Sequence, residues 1–213
     1  YYKAFGLFEK TGISLSGEST GIFYDLNTIG AHELATMSFG ERITVTPIQM
    51  ITAISAIAND GVLVQPQIVD KIENTDTGEV TEFTTKEVRQ VISKSTADKV
   101  ASMMESVATK GTGKLIAPYL QGYSFGGKTG TSEPRKGTDE GYTASYVAIS
   151  PVENTKIVLL VILKNPKGSN HNGGAIAGPT AGKMLAEILP CMGIEYGNKI
   201  NEINTNVSQD DLY

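Results

Sequence analysis

Among the 213 residues, the stretch Phe125-Gly126-Gly127-Lys128-Thr129-Gly130-Thr131-Ser132-Glu133 has the types and spacing that can do chemistry. It sets one ammonium beside the hydroxyls of Thr129, Thr131 and Ser132 and leaves Gly126, Gly127 and Gly130 without side chains. The strand character of Tyr142–Ile149, just downstream, argues that the stretch is itself part of a sheet. A strand stripped of Cβ atoms lets a ligand lie directly against backbone. An extended peptide ending in a carboxylate suits such a surface, because Lys128 supplies charge and Thr129 and Thr131 supply donors. A Lys-Thr-Gly triplet needs this context to carry meaning. Lys10-Thr11-Gly12 is a second copy, but it follows Glu9 and leads into Ile13-Ser14-Leu15-Ser16-Gly17, a loop with a short extended piece. The strand and glycine mechanics belong to the copy at Lys128.

Composition narrows the classes of function. With 40% hydrophobic and 19% charged residues, the chain has an ordinary globular make-up and is long enough for one sizeable domain. A net charge of −5 and the lack of a basic stripe argue against nucleic acid as a partner. Cys191 is the sole cysteine and His32 and His171 are the only histidines, so neither an internal disulfide nor a metal cluster is expected, and no cofactor is called for. Cys191 ends an apolar helical pattern and is expected as a buried thiol. The longest apolar run, Ile157–Leu163, is far short of the roughly 20 residues that span a bilayer. Tyr1-Tyr2-Lys3 opens inside a folded element with no signal peptide, so an anchor or export signal is expected outside this sequence.

The rest of the pattern supplies elements to hold the Lys128 stretch. Tyr2, Phe5 and Phe8 stand at helical spacing and read as the tail of a helix, followed by loops with a short strand over Gly12–Asn27. Leu34–Val45 leads into a helix that Thr46 can cap, with Pro47 in its first turn and Gln49 three residues past the cap, running to about Ala58. Ile48, Ile51, Ile54, Ile57 and Ala58 share one face while Met50, Ala53 and Ala56 make the other side apolar, so this helix is predicted to be buried, with Asn59-Asp60-Gly61 as its left-handed stop. Val62–Glu73 reads as extended, with Pro66 favouring an edge, and Asp76-Thr77-Gly78 turns it back into Val80–Phe83 as a hairpin whose charges form a solvated face. Ser95 opens a second helix through Lys110, with Val100, Met103, Met104 and Val107 as the buried stripe and Gly111 at its end; Lys114–Tyr123 connects it to the Lys128 strand. After the polar turn Arg135–Gly141, alternating Tyr142–Ile149 and aliphatic Lys156–Leu163 complete an antiparallel sheet. Gly168–Gly178 reads as a loop that holds His171 at a solvent or substrate rim. Pro179 begins the last helix, with Met184, Leu185, Ile188 and Leu189 as its stripe. The polar tail Glu195–Tyr213 has little to bury and reads as a linker or disordered segment.

These residues resemble the transpeptidase domain of class B penicillin-binding proteins, the monofunctional enzymes that cross-link peptidoglycan. The blocks that carry the resemblance are Glu9-Lys10-Thr11-Gly12-Ile13 through Gly17-Glu18, and Leu34-Ala35-Thr36-Met37-Ser38-Phe39-Gly40 followed by Thr44-Val45-Thr46-Pro47-Ile48-Gln49. Downstream, Gly127-Lys128-Thr129-Gly130-Thr131-Ser132-Glu133 looks like the family's third active-site motif, and Gly173-Gly174 through Pro179 looks like the lead-in to its last helix. They run in family order over Tyr1 to Gly193, so residues 1–193 resemble the C-terminal part of that domain and residues 194–213 a polar tail or linker. The resemblance implies an α/β fold, an antiparallel sheet sandwiched by helices, shared with serine β-lactamases. It also implies acyl transfer from a D-Ala-D-Ala stem peptide through a serine acyl-enzyme, with β-lactams as mimics of the donor. On this resemblance Lys128 and Thr131 are the catalytic residues: Lys128 supports the proton network and the Thr131 N–H is an oxyanion donor. Gly127, Thr129, Gly130 and Ser132 are the substrate-binding residues, and no metal is implied.

The chain departs from the family in one respect that bears on chemistry. The family's nucleophile lies in Ser-x-x-Lys and its second motif is Ser-x-Asn, and no serine from Ser14 to Ser208 has Lys three residues on or Asn two residues on. Both motifs precede this region in the family, so the chain is expected to be the C-terminal portion of a longer protein, to contribute half of a site, to be inactive alone, and to have the upstream part of the same protein as a partner. The resemblance places that protein at the extracytoplasmic face of the bacterial cell membrane, anchored by a segment absent from this chain, in septal, elongation or spore-wall synthesis. Glu41-Arg42 stand where the family commonly has Gln and a small residue, and Asn172 replaces an aromatic residue before Gly173-Gly174, which predicts a more polar rim. Two other readings share the Lys-Thr-Gly wall: a serine β-lactamase, and an inactive penicillin-binding sensor or scaffold.

Overall fold

The structure, a computed structural model, describes residues 1–195 and 197 except 24, 42, 135, 136 and 138–140. The chain divides into two compact units, Tyr1–Lys94 and Ser95–Tyr213.

In the first unit, Tyr1–Phe8 forms successive turns instead of the expected helix tail, with Phe5 N–H donating to Tyr1 O at 2.9 Å and Leu7 N–H to Tyr2 O at 3.1 Å. Past a short 3₁₀ turn at Leu26–Thr28 lies α1, Ala31–Met37, a helix that the Leu34–Val45 pattern did not announce. Helix α2, Pro47–Ala58, begins where its cap demands: the Thr46 hydroxyl accepts from Gln49 N–H at 3.2 Å, and Gln49 Oε1 accepts from Thr46 N–H at 2.9 Å. The same Gln49, 1% exposed, donates through Nε2 to Glu9 O at 2.8 Å and Thr20 O at 3.0 Å, tying the N-terminal loops to α2. The buried face of α2 is Gln49, Thr52, Ala53 and Ala56, while the isoleucines are only half-buried. A helix apolar all round leaves tertiary contacts to choose the inner side, and here the small side chains were chosen.

The expected hairpin is a longer, interrupted ribbon. Strand β1, Val62–Val64, pairs antiparallel with β4, Glu87–Gln90, and β2, Lys71–Glu73, pairs with β3, Val80–Glu82. Val62–Glu73 is therefore two strands, broken at Pro66, which cannot donate to a ladder. Gln65 N–H to Lys86 O and Phe83 N–H to Asp70 O, both 2.9 Å, carry the pairing across the break. Every residue of β2 and β3 is exposed, in keeping with a solvated face. Arg89 on β4 ties the opening turns to the ribbon, donating to Ala4 O at 2.7 Å and pairing with Glu9 at 2.8 Å.

In the second unit, α3, Lys94–Lys110, buries Ala97, Ala101, Met104 and Ala108. Met104 belongs to the expected stripe, whereas Met103 is 65% exposed and Val100 and Val107 are half-buried. The next stretch contains a 3₁₀ helix, Lys114–Tyr119. Strands β5, Gly126–Ser132, β6, Thr143–Ser150, and β7, Ile157–Lys164, form an antiparallel sheet in the order β5-β6-β7. Helix α4, Gly173–Cys191, covers one face, where Tyr146, Ala148 and Val161 meet Ala177, Ala181, Leu185 and Leu189. On the other face α3 reaches β5 at Gly126, where an added Cβ would lie 3.1 Å from Met104 Cβ. The sheet thus lies between helices, as the resemblance implied.

Helix α4 starts at Gly173 and not at Pro179, and two features explain the earlier start. Asn172 caps it, its Oδ1 accepting from Gly174 N–H at 2.9 Å. Its glycines also permit close packing: a Cβ on Gly173 would overlap the carbonyl oxygens of Gly130 and Ser145. Leu185 and Leu189 are buried and Ile188 half-buried, but Met184 is 43% exposed, and Cys191 is exposed at the helix end instead of buried. His171 stacks on Tyr142, centroids 4.2 Å apart and rings 8° from parallel. Most of the expected turn Arg135–Gly141 and the tail beyond residue 197 lie outside the described residues, as does Arg42. Among the described residues, no helix is long and apolar enough to cross a membrane and no group of His, Cys, Asp or Glu is placed to hold a metal.

Candidate active site

The site is built on β5, an edge strand of its sheet. Its register, Gly127↔Ala148 through Ser132↔Thr143, sorts the predicted residues by alternation. Lys128, Gly130 and Ser132 share one face, opposite Val147, Ser145 and Thr143; Gly127, Thr129 and Thr131 share the other, the face covered by α4. The sequence-predicted residues therefore come together on one strand but divide between its two sides, and a ligand along the outer edge meets both sets.

Lys128 is exposed and its Nζ donates to Thr129 O at 2.7 Å, which curls the ammonium along the strand. A Cβ on Gly130 would lie 2.5 Å from Ser145 Oγ, so glycine there makes room for that hydroxyl. On the opposite face the Thr131 hydroxyl accepts from Gly173 N–H at 3.0 Å, and Thr129 Oγ1 lies 3.1 Å from Thr112 Oγ1. Beneath them Tyr146, fully buried, donates to Gly113 O at 3.4 Å, and burial holds its phenol well above the usual tyrosine range. A Cβ on Gly127 would lie 2.6 Å from Tyr146 Cε1 and 2.7 Å from its Cζ, so glycine is required for the ring to sit there. Sequence reasoning missed Thr112, Asn172 and Tyr146 as supports. The Gly-Thr-Gly run at 111–113 was the available signal for the first, and the Asn before Gly173-Gly174 for the second.

The other Lys-Thr-Gly copy is structural. The Glu18 carboxylate accepts from the Thr11 N–H and hydroxyl, both 2.6 Å, and from Gly12 N–H at 3.2 Å. Partial burial pushes the Glu18 carboxyl up, but these hydrogen bonds and the Lys10 charge outweigh it and hold it below the usual range. That copy clamps a loop.

What the β5 arrangement can do is bind an extended anionic peptide end along its open edge, with a cation on one side and donor-ready hydroxyls on the other. The model for the penicillin binding protein transpeptidase domain matches residues 1–186. Stage V sporulation protein D of Bacillus subtilis is 36% identical over 92% of this chain and 30% of its own length. The peptidoglycan D,D-transpeptidase FtsI of Escherichia coli is 31% identical over 91% of this chain and 32% of its own. The chain thus spans about a third of the length of these curated relatives. Among solved structures, penicillin binding protein 3 of Mycobacterium tuberculosis complexed with aztreonam superposes with a TM-score of 0.82 at 29% identity, covering 92% of this chain and 46% of that one. The transpeptidase domain of Burkholderia pseudomallei penicillin-binding protein 3 gives 0.78 at 29% identity, covering 93% and 58%. With the family model matching most of its length, the chain belongs to the penicillin-binding protein transpeptidase family.

Proposed function

We propose that this chain forms the substrate-binding half of a serine D,D-transpeptidase that cross-links peptidoglycan at the extracytoplasmic face of a bacterial membrane, and that an upstream part of the same protein supplies the nucleophile and the anchor. The observation that carries this is the β5 edge, which sets Lys128 on one side of an unpaired strand edge and Thr129 and Thr131 on the other. The absence of any Ser-x-x-Lys or Ser-x-Asn from the sequence supports the division of the site.

In this reading the upstream serine oxygen bonds to the carbonyl carbon of the penultimate D-Ala. The peptide C–N bond then breaks, and the leaving D-Ala amine takes up a proton. An amine of a second stem peptide next attacks the ester, its nitrogen bonding to the same carbon as the serine oxygen leaves and regains a proton. Thr129 and Thr131 hydroxyls hold the terminal carboxylate and the Lys128 ammonium adds charge to that end and to the proton network. The Thr131 N–H faces the developing oxyanion. Gly127 and Gly130 let the strand pack closely on Tyr146 and Ser145, which leaves its backbone edge for the substrate, and Ser132 extends the polar wall beside it. β-Lactams occupy the donor position and remain on the serine. The relatives' printed roles, sporulation and peptidoglycan transpeptidation, support cell-wall synthesis as the setting.

The test is to incubate the longer protein with penicillin and locate the adduct by intact and peptide mass. An adduct on a serine preceding residue 1 is expected, and the chain alone should carry none. An adduct on a serine within residues 1–213 refutes the division of the site, and no adduct anywhere supports an inactive scaffold. Hydrolysis of the adduct within seconds would mark a β-lactamase instead.

A further inference from the structure

We infer that Thr112 is a positioning residue for the carboxylate end of the substrate, acting through Thr129; this rests on the transpeptidase reading above. A carboxylate accepts hydrogen bonds and donates none, so each hydroxyl that holds it must turn its single proton outward. Thr131 meets that condition because its oxygen already accepts from Gly173 N–H at 3.0 Å, which leaves its proton for the ligand. Among the described residues, Thr129 has no backbone donor in the corresponding place. Its hydroxyl instead lies 3.1 Å from that of Thr112, and when Thr112 donates, the Thr129 proton is released toward the groove. The two threonines of β5 then present matched donors to one anion.

The loop carrying Thr112 is held from several sides. Gly111 N–H and Gly113 N–H both donate to Val107 O at 3.1 Å, and Gly113 O accepts from the buried Tyr146 hydroxyl at 3.4 Å. A side chain on Gly174 would overlap the Thr112 carbonyl oxygen and approach Thr129 Cγ2 at 3.1 Å, so the glycine at the start of α4 lets this loop and β5 come together. Thr112 itself is exposed, which leaves its hydroxyl at the surface where the carboxylate would sit. The anchoring lies in the neighbouring glycines and in Tyr146, and the Thr112 hydroxyl is left to its hydrogen bond with Thr129.

The experiment compares wild type, Thr112→Val and Thr112→Ser in the longer protein. Their acylation rates are measured with benzylpenicillin, whose ring carboxylate is anionic, and with its methyl ester, which lacks that charge. Thr112→Val is expected to lose about three- to tenfold in acylation efficiency toward the carboxylate. The loss should fall in the apparent binding constant and not in the limiting rate. The ester should be unaffected, the Tm unchanged, and Thr112→Ser should restore the wild-type value. An equal loss for acid and ester, no loss for either, or failure of serine to rescue a folded protein overturns the role of Thr112. Wild type that is never acylated overturns the transpeptidase reading first, and this inference with it.

Discussion

Replacing Gly127 by alanine tests whether the floor of the site is as rigid as its geometry requires. Gly127 lies in β5 with ordinary strand backbone, so the substitution adds a methyl group without adding backbone strain. That methyl would lie 2.6 Å from Tyr146 Cε1 and 2.7 Å from Cζ, whereas carbon atoms at rest sit about 3.5–4.0 Å apart. The ring or the strand must therefore move by about 1 Å. Tyr146 has no free direction: it is wholly buried, packed among Ala108, Ile116 and Ala177, and tethered to Gly113. Overpacking of this kind costs about 1–3 kcal/mol. At about 2 kcal/mol the folding equilibrium falls roughly thirtyfold and Tm by roughly 4–8 °C. Urea denaturation of Gly127→Ala, Tyr146→Phe and the double variant gives both the cost and its origin, because removing the phenol oxygen relieves part of the clash and makes the two effects less than additive. A loss under about 0.5 kcal/mol, or strict additivity, would show that the ring is free to yield and that the account of Gly127 is wrong.

Four further outcomes follow from the same geometry. Gln49→Ala removes the donor to Glu9 O and Thr20 O together with half of the α2 capping box, and should cost about 2–4 kcal/mol by denaturation; a loss confined to the cap, about 1 kcal/mol, would mean the two carbonyls find other partners. Met104→Ala should cost about 2–5 kcal/mol and the adjacent Met103→Ala stay within about 0.5, since only Met104 is buried; equal costs would restore the stripe expected from sequence. The Glu18 carboxyl is held below its ordinary value, so its contribution is present above the unfolded carboxyl range and is lost as pH falls through the folded value. Stability of wild type should accordingly drop more than that of Glu18→Gln between neutral pH and pH about 3, and parallel curves would count against the clamp. Lys128→Ala, at an exposed position, should leave Tm unchanged while lowering acylation by penicillin at least about a hundredfold in the longer protein; retention of rate would remove Lys128 from the site.

Features decided within a few residues of one another were legible in the sequence. The α2 start at Thr46-Pro47-Ile48-Gln49, the strands β6 and β7, the solvated tip of the ribbon and the Lys128 motif each depend on a cap, an alternation or a turn residue, and each stands in the structure where those signals put it. The contacts that decided the rest join residues far apart in the chain. Apolar residues around the whole of α2 and at both Met103 and Met104 left the buried side open, and packing chose Ala53, Ala56 and Met104. Glycines at 173, 174 and 178 resemble a loop until a sheet lies beneath them, and then they are what lets α4 start early and press onto Gly130 and Tyr146. Alternation along β5 divides the Lys-Thr-Gly motif between two faces, but the partners of Thr129 and Thr131 come from residues 112 and 173. A hydroxyl carries no information about which distant donor will meet it. That is set when β5, the loop after α3 and the start of α4 are packed together, because only then do the unmet hydrogen-bonding groups of each find one another.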